Sequence, residues 1–341
     1  MELHVDEQFS EIEKLRAELL ANVDVMADWQ RAEEEISHQE ILNRIEGIIL
    51  GVVTSLSKDE APVLALPNRS SWANVSFDST IGLQMSSRQS VVTIRSDCPS
   101  SAAKFAQILK ILSVIYRLVQ SNSYATKRDI YYNNTQLFGS QKAVDSIVDD
   151  ISCMLKVPRR SLHVLATSKG LISGDLCYME EDGTRIDCHS SSAGKGVPDV
   201  NSRLMVKKLW DELHIPIFAL VDADPHGIEI MCIYKYGSVA MSFEAHSLTV
   251  PSVMWLGLLP SDLQRLRVPE DALIPLTKRD ESKLSSLLER PYLTSQPDWQ
   301  KEMKLMQQSK VKAEIQSLTA IAPDFLTNIY LPNKLRYGGW V

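Results

Sequence analysis

Apolar residues recur at three- and four-residue spacing in "FSEIEKLRAELLANVDVM" and "QEILNRIEGIILGVVTSL", and the pattern predicts helices within residues 7–56. On pattern alone, packing against the rest of the chain and binding of a partner weigh equally for these helices. "SKDEAPVLALPNRSSW" then carries the prolines and polar cluster of a linker. From Ser100 the spacing tightens. "SSAAKFAQILKILSVIYRLVQ" reads as a periodic helix behind a serine cap, "TKRDIYYN" as a short helix capped by Thr126, and "GSQKAVDSIVDDISCMLK" as a third helix ending before Pro158. Candidate strands follow in "SLHVLATS", "LISGDLCYMEE" and "TRIDC", the last turned back at Asp182-Gly183.

Three helices followed by a small hairpin is the order of a winged helix-turn-helix, which sets its last helix in a DNA groove with backbone contacts from the wing. Beyond the serine-rich "CHSSSAGKGVPD" the texture becomes α/β. "VNSRLMVKKLWDELH" is helical, "IPIFALVDAD" is a continuous apolar strand of the buried parallel type, and "PHGIEIMCIYKYG" follows as turn and helix. "VPSVMWLGLLPSDLQRL", "ESKLSSLLERPYL" and "WQKEMKLMQQSKVKAEIQSL" read as further helix. The expected organisation is an N-terminal helical segment (1–60), a linker (61–99), a winged-helix domain (100–187) and an α/β domain (188–341), an α+β and α/β chain without internal repeats.

With 341 residues, 44% of them hydrophobic, the chain is long enough for two cores. No apolar run approaches the roughly 20 residues that cross a bilayer; "IEGIILGVVTSL" is too short and carries Glu46. The acidic start "MELHVDEQFSEIEKL" lacks the basic and apolar regions of a signal peptide, so the chain is expected to stay inside the cell. Five cysteines without a CxxC pair predict reduced, mostly structural thiols and no zinc site. A net charge of -7 excludes a protein that coats nucleic acid nonspecifically, so any DNA contact is a local basic patch on an acidic body.

Asp222 and Asp224 in "FALVDADPHG" lie two apart, which on an extended strand puts both carboxylates on one face at the strand's end. Ligands of open α/β sheets bind there, and paired carboxylates suit Mg²⁺, which completes its shell with water and phosphate oxygens. Read alone, the pair fits turn-capping aspartates as well. In "ATKRDIYYNN" a helix puts Arg128 three residues before Tyr131 and four before Tyr132, beside either phenol. A phenol titrating near pH ~10 needs such a cation to act as a nucleophile at neutral pH. Spacing alone does not separate that chemistry from ordinary aromatic packing.

Together, "KRDIYYN", "DADPHGIEI", "YLPNKLRYGGW" and "GKGVPD" resemble the family of the topoisomerase VI A subunit, whose eukaryotic relatives make meiotic double-strand breaks. The similarity runs over essentially the whole chain. It implies a winged-helix domain carrying a tyrosine nucleophile, followed by a Toprim domain that binds Mg²⁺. It further implies a homodimer on double-stranded DNA, in which each tyrosine faces its partner's metal site and becomes linked to a 5′ end. Carried over by position, Tyr132 is the nucleophile and Arg128 the catalytic arginine, while Asp222 and Asp224 are the Toprim aspartates. DNA-binding candidates in the same segment are Lys127, Lys156, Arg159, Arg160 and Lys169. The resemblance also implies a topoisomerase VI B-like partner docked on the N-terminal helices, and action in the nucleus. No GxxxxGK[ST] loop occurs, so ATP handling belongs to that partner.

One part of the family pattern is missing. Its Toprim domain begins with a strand ending in glutamate, followed by a helix, ahead of "GKGxPD". Here no apolar strand ending in glutamate lies between Cys188 and Gly194, and Glu180 and Glu181 fall on the expected wing. The expectation is a truncated Toprim domain that holds Mg²⁺ weakly and leaves a strand edge bare. Two readings follow: a DNA-cleaving subunit, or a noncatalytic variant that binds DNA or a partner. A generic winged-helix transcription factor would explain "KVPRRS" but leaves "DADPHG" without purpose.

Overall fold

Two hydrophobic cores organise the chain. The structure is a computed structural model that describes residues 9–21, 36–86, 89–165, 172, 174–179, 185–188 and 200–341. Helices α1 (Ser10–Ala21) and α2 (His38–Ser57) form where apolar spacing places them. Ser37 starts α2 by accepting the Glu40 N–H at 3.2 Å. The two helices part company. Ile41, Leu42 and Ile45 of α2 are buried in the first core, whereas α1 buries no residue and lies along the C-terminal helix.

The 61–99 segment, expected as a linker, is folded. Strand β1 (Val63–Pro67) pairs antiparallel with β4 (Val91–Arg95). In "VLALP" alternate residues Leu64 and Leu66 are buried in the first core, a period of two that the flanking prolines obscure in sequence. Between them, β2 (Val75–Asp78) and β3 (Gly82–Met85) form a hairpin that serves the second core. Phe77 packs edge-on to Tyr236 at 5.5 Å, and Leu83 is buried. The segment therefore stitches the two cores together.

The rest of the first core is α3 (Ala102–Gln120), β5 (Ala125–Thr126), α4 (Lys127–Tyr132), α5 (Gln141–Leu155) and β6 (Val164–Leu165), with β5 and β6 parallel. Ser101 does not cap α3: its hydroxyl donates to the Arg95 carbonyl at 2.7 Å and ties α3 to β4. Hairpin β7 (Cys177–Met179) with β8 (Arg185–Asp187) follows in the expected order. Lys169, Glu180, Glu181 and "GKGVPD" lie outside the described residues.

The second core gathers α6 (Val200–Leu213), β9 (Phe218–Leu220), α7 (Pro225–Tyr236), β10 (Met254–Gly257), α8 (Pro260–Arg265), α9 (Lys278–Leu288), α10 (Pro297–Ser309) and α11 (Leu331–Tyr337). Two expectations change here. "VPSVMWLGLLPSDLQRL" is not all helix: its apolar middle is strand β10, parallel to β9 on one side and hydrogen-bonded to Val341 on the other. A short apolar run buried on both faces carries no periodicity to tell the two apart. The strand expected across "IPIFALVDAD" shrinks to three half-buried residues, because β10 is the one strand paired with β9 among the described residues.

"YLPNKLRYGGW" proves to be an anchor. Asp262 at the start of α8, 1% exposed, accepts Tyr330 Oη at 2.6 Å and Lys334 Nζ at 2.9 Å. Burial alone would raise this carboxyl, but Tyr330 and Lys334 hold it below the ordinary range.

Candidate functional site

The tyrosine helix is capped at its start and exposes a tyrosine at its end. Thr126 and Asp129 form a reciprocal capping box: Thr126 Oγ1 accepts the Asp129 N–H at 3.2 Å, and Asp129 Oδ2 accepts the Thr126 N–H at 2.8 Å. Ile130, one turn along, is buried in the core. A six-residue helix has little stability of its own, so the cap and this anchor set its register. That register half-buries Tyr131 against the core and leaves Tyr132 67% exposed, with the two rings 5.4 Å apart. Arg128 is also exposed and forms no ion pair among the described residues. An exposed phenol beside an unpaired guanidinium can meet a phosphate. Tyr131 is held by packing.

The basic residues divide. Lys127 turns inward, its ammonium 3.5 Å from Asp145 and 3.8 Å from Asp149, and burial lowers its proton affinity against the pull of those acids. Arg159 is 8% exposed and faces Asp149 at 3.4 Å. Both are engaged inside the fold, because α5 places acids under them. Lys156 is exposed in a left-handed turn at the end of α5. Exposed Arg160 lines a cleft of about 940 Å³ between the cores, with Lys207, Lys208 and His246. The adjacent lysines in "VKKLW" are the signal for this cleft that charge counting in the first half of the chain passed over.

Asp222 and Asp224 lie just beyond β9 rather than on it, and both are half-buried. Each has one oxygen in use. Asp222 Oδ1 accepts the Ile315 N–H at 2.8 Å, and Asp224 Oδ1 accepts the Gly227 N–H as N-cap of α7, with Pro225 in the first turn. Gly227 is required: a Cβ there would lie 2.7 Å from the Asp222 carbonyl oxygen. Both readings of the pair, cap and metal ligand, therefore have a physical basis, since Oδ2 of each carboxylate is outside these bonds. Two carboxylates suffice for a Mg²⁺ held largely by water and phosphate. Among the described residues no group of three or more Asp, Glu, His and Cys stands ready to hold a metal. Nearby Glu229 is taken by Lys283 and Arg290, each at 2.7 Å.

The two halves are joined by a residue that sequence reasoning missed. Arg69, in the presumed linker, donates to Asp150 Oδ1 at 2.8 Å and to the Ser146 carbonyl at 3.2 Å on α5, and across to the Ala240 carbonyl of the second half at 3.2 Å. Tyr132 and Arg128 make no hydrogen bond, ion pair or ring contact with Asp222 or Asp224 among the described residues.

Residues 103–164 match the family described as "Type IIB DNA topoisomerase", and residues 192–335 match the Toprim-domain family of topoisomerase 6 A subunits and Spo11. The chain is 53% identical to "Meiotic recombination protein SPO11" of Mus musculus over 98% of its own length and 97% of that protein. Against the Homo sapiens protein of the same name it is 55% identical, with 89% of each chain covered. The A subunit of DNA topoisomerase 6 from Arabidopsis thaliana is 30% identical over 88% of this chain and 81% of that one.

Proposed function

As the chain belongs to the topoisomerase VI A/Spo11 family, we propose that it is a subunit of a DNA transesterase that makes meiotic double-strand breaks with Tyr132 as nucleophile. The observation that carries the assignment is the exposed Tyr132 phenol on a capped helix beside exposed Arg128. Tyr132 Oη attacks a backbone phosphorus, the P–O3′ bond breaks, and a proton passes to the departing 3′ oxygen. The protein is left linked to the 5′ phosphate. Arg128 offers its guanidinium to the phosphate oxygens as charge builds on them. Asp222 and Asp224 would hold a Mg²⁺, which supplies further neutralisation of phosphate charge when bound.

Tyrosine and carboxylates belong to separate cores, which supports a homodimer in which each tyrosine works at its partner's metal site. DNA contacts fall to Arg128, Lys156, Arg160 and Lys169, phosphate contacts that position without reading sequence. A topoisomerase VI B-like partner would cover the outer half of α2, where Leu50, Val53 and Leu56 are 67%, 55% and 61% exposed. The place of action is the nucleus.

A second reading has its own support. In the match to the mouse protein, 98% of 341 residues is about 334, so about 50 of the 384 aligned positions have no residue in this chain. The described sheet at the aspartates has two strands. A Toprim domain lacking its glutamate strand would make this chain a DNA- or partner-binding variant without cleavage.

The deciding experiment combines the chain and its B-like partner with end-labelled duplex DNA and Mg²⁺ and looks for a covalent adduct. The expected adduct survives Tyr131→Phe and disappears in Tyr132→Phe. If it survives Tyr132→Phe, the nucleophile is wrong. If no adduct forms but DNA is bound, and a chain with a glutamate-bearing segment restored does form one, the noncatalytic reading holds.

A further inference from the structure

The start of α2 and the loop before β6 bring together His38 and His163, which are 125 residues apart, with their Nε2 atoms 3.3 Å from each other. His163 is 2% exposed and held on three sides. Its Nδ1 lies 3.1 Å from the Ser123 carbonyl, its ring stacks on Tyr124 at 4.3 Å and 3°, and the His38 ring meets it edge-on at 4.8 Å. A carbonyl only accepts, so Nδ1 of His163 carries the proton and Nε2 presents a lone pair toward His38. An imidazole whose far nitrogen donates to a backbone carbonyl is the usual arrangement of a metal-bound histidine. Two nitrogens on a tetrahedral ion with bonds of about 2.0–2.1 Å stand roughly 3.3–3.4 Å apart, the separation found here.

We propose that His38 and His163 form a binding site for a late first-row divalent cation such as Zn²⁺, with water in the remaining positions. Imidazole nitrogens select such ions over Mg²⁺, so the site is independent of Asp222 and Asp224. To bind, His38 carries its proton on Nδ1 and turns the Nε2 lone pair to the ion. His163 already stands in the required form, so little order is lost on binding. The ion would clamp the first turn of α2 to the loop whose His163 carbonyl accepts the Ala125 N–H at 3.1 Å, directly before the Thr126 cap. The cysteine spacing gave no hint of this site, because its ligands come from distant segments.

The test titrates Zn²⁺ into the tag-free chain against a chromophoric chelator, following the histidine ¹⁵N resonances. One saturable equivalent is expected, with the two Nε2 signals shifted. At a hundred times its Kd, Zn²⁺ should raise the folded-to-unfolded ratio about 100-fold. His38 is exposed, so His38→Ala should fold and bind at least tenfold more weakly; His38→Gln, which keeps a polar group there, serves if it does not. Cys98→Ser with Cys177→Ser, removing the more accessible thiols, should bind like the parent. Undiminished binding in the His38 variants, loss of binding in the cysteine variant, or no saturable equivalent overturns the proposal.

Discussion

Asp224 caps a helix and is also proposed to hold Mg²⁺, two roles that one carboxylate can combine. Its Oδ1 caps α7 while Oδ2 is outside that bond, so charge and cap can be separated by substitution. Asparagine caps as well as aspartate does, whereas alanine costs about 1 kcal/mol. Asp224→Asn should leave unfolding by denaturant within about 0.5 kcal/mol of the parent and abolish Mg²⁺-dependent protection of the site. Asp224→Ala should lose both; equal destabilisation by the two substitutions would remove the cap from the account. Asp280 is a carboxylate with a purely structural task. Burial would raise it, yet bonds from Lys312 and Thr277 prevail and bring it to about 2. Its folded value lies below the unfolded value near ~3.9, so its contribution is present above pH ~4 and lost as pH falls toward 2. Asp280→Asn should flatten the acid limb of a stability profile over that interval and lower the plateau above it.

At the scale of elements, the tyrosine helix is the most exposed to local change. Its six residues carry Arg128 and Tyr132 and depend on the Thr126–Asp129 box. Thr126→Ala should cost about 1 kcal/mol of stability, and amide exchange in 127–132 should speed up with little change in α3. Exchange that rises equally in both would mean that the cap supports the whole core. This helix was legible in sequence because cap, spacing and length are local. Strand β10 was not, because what makes "MWLG" a strand is a parallel neighbour from residues 218–220 and the Val341 backbone. The 61–99 strands failed for a related reason: prolines and serines mark turns, and nothing local says that the residues between them pair with partners up to 32 positions away.

Across the whole molecule, Arg69 is one of the groups that join the halves. Arg69 bonds to α5 and to the Ala240 carbonyl of the second half. With its side chain 12% exposed, truncation strips bonds from a charged group, each worth about 1.5–3 kcal/mol. Arg69→Ala should therefore lower stability by at least about 2 kcal/mol and loosen the halves, measured as faster proteolysis within 61–99 under native conditions. An unchanged cleavage rate would place the junction elsewhere. The acidic overall charge left DNA contact to local patches, but which basic residues are available was decided by packing. Lys127 and Arg159 face Asp145 and Asp149 of α5 and Lys207 pairs with Asp211, while exposed Lys208 and Arg160 line the cleft.

By itself the sequence determined the helices of the first core, the Thr126 cap, the Tyr132 and Arg128 pairing along a helix face, the position of Asp222 and Asp224 near a strand's end, and the family. Each follows from spacing within a few residues or from contiguous motifs. Tertiary structure alone decided that Tyr131 packs while Tyr132 is exposed, that residues 61–99 join two cores, that the C-terminal motif clasps buried Asp262, and that His38 meets His163. Those outcomes depend on burial and on contacts between segments distant in the chain, where side-chain neighbours are set by packing.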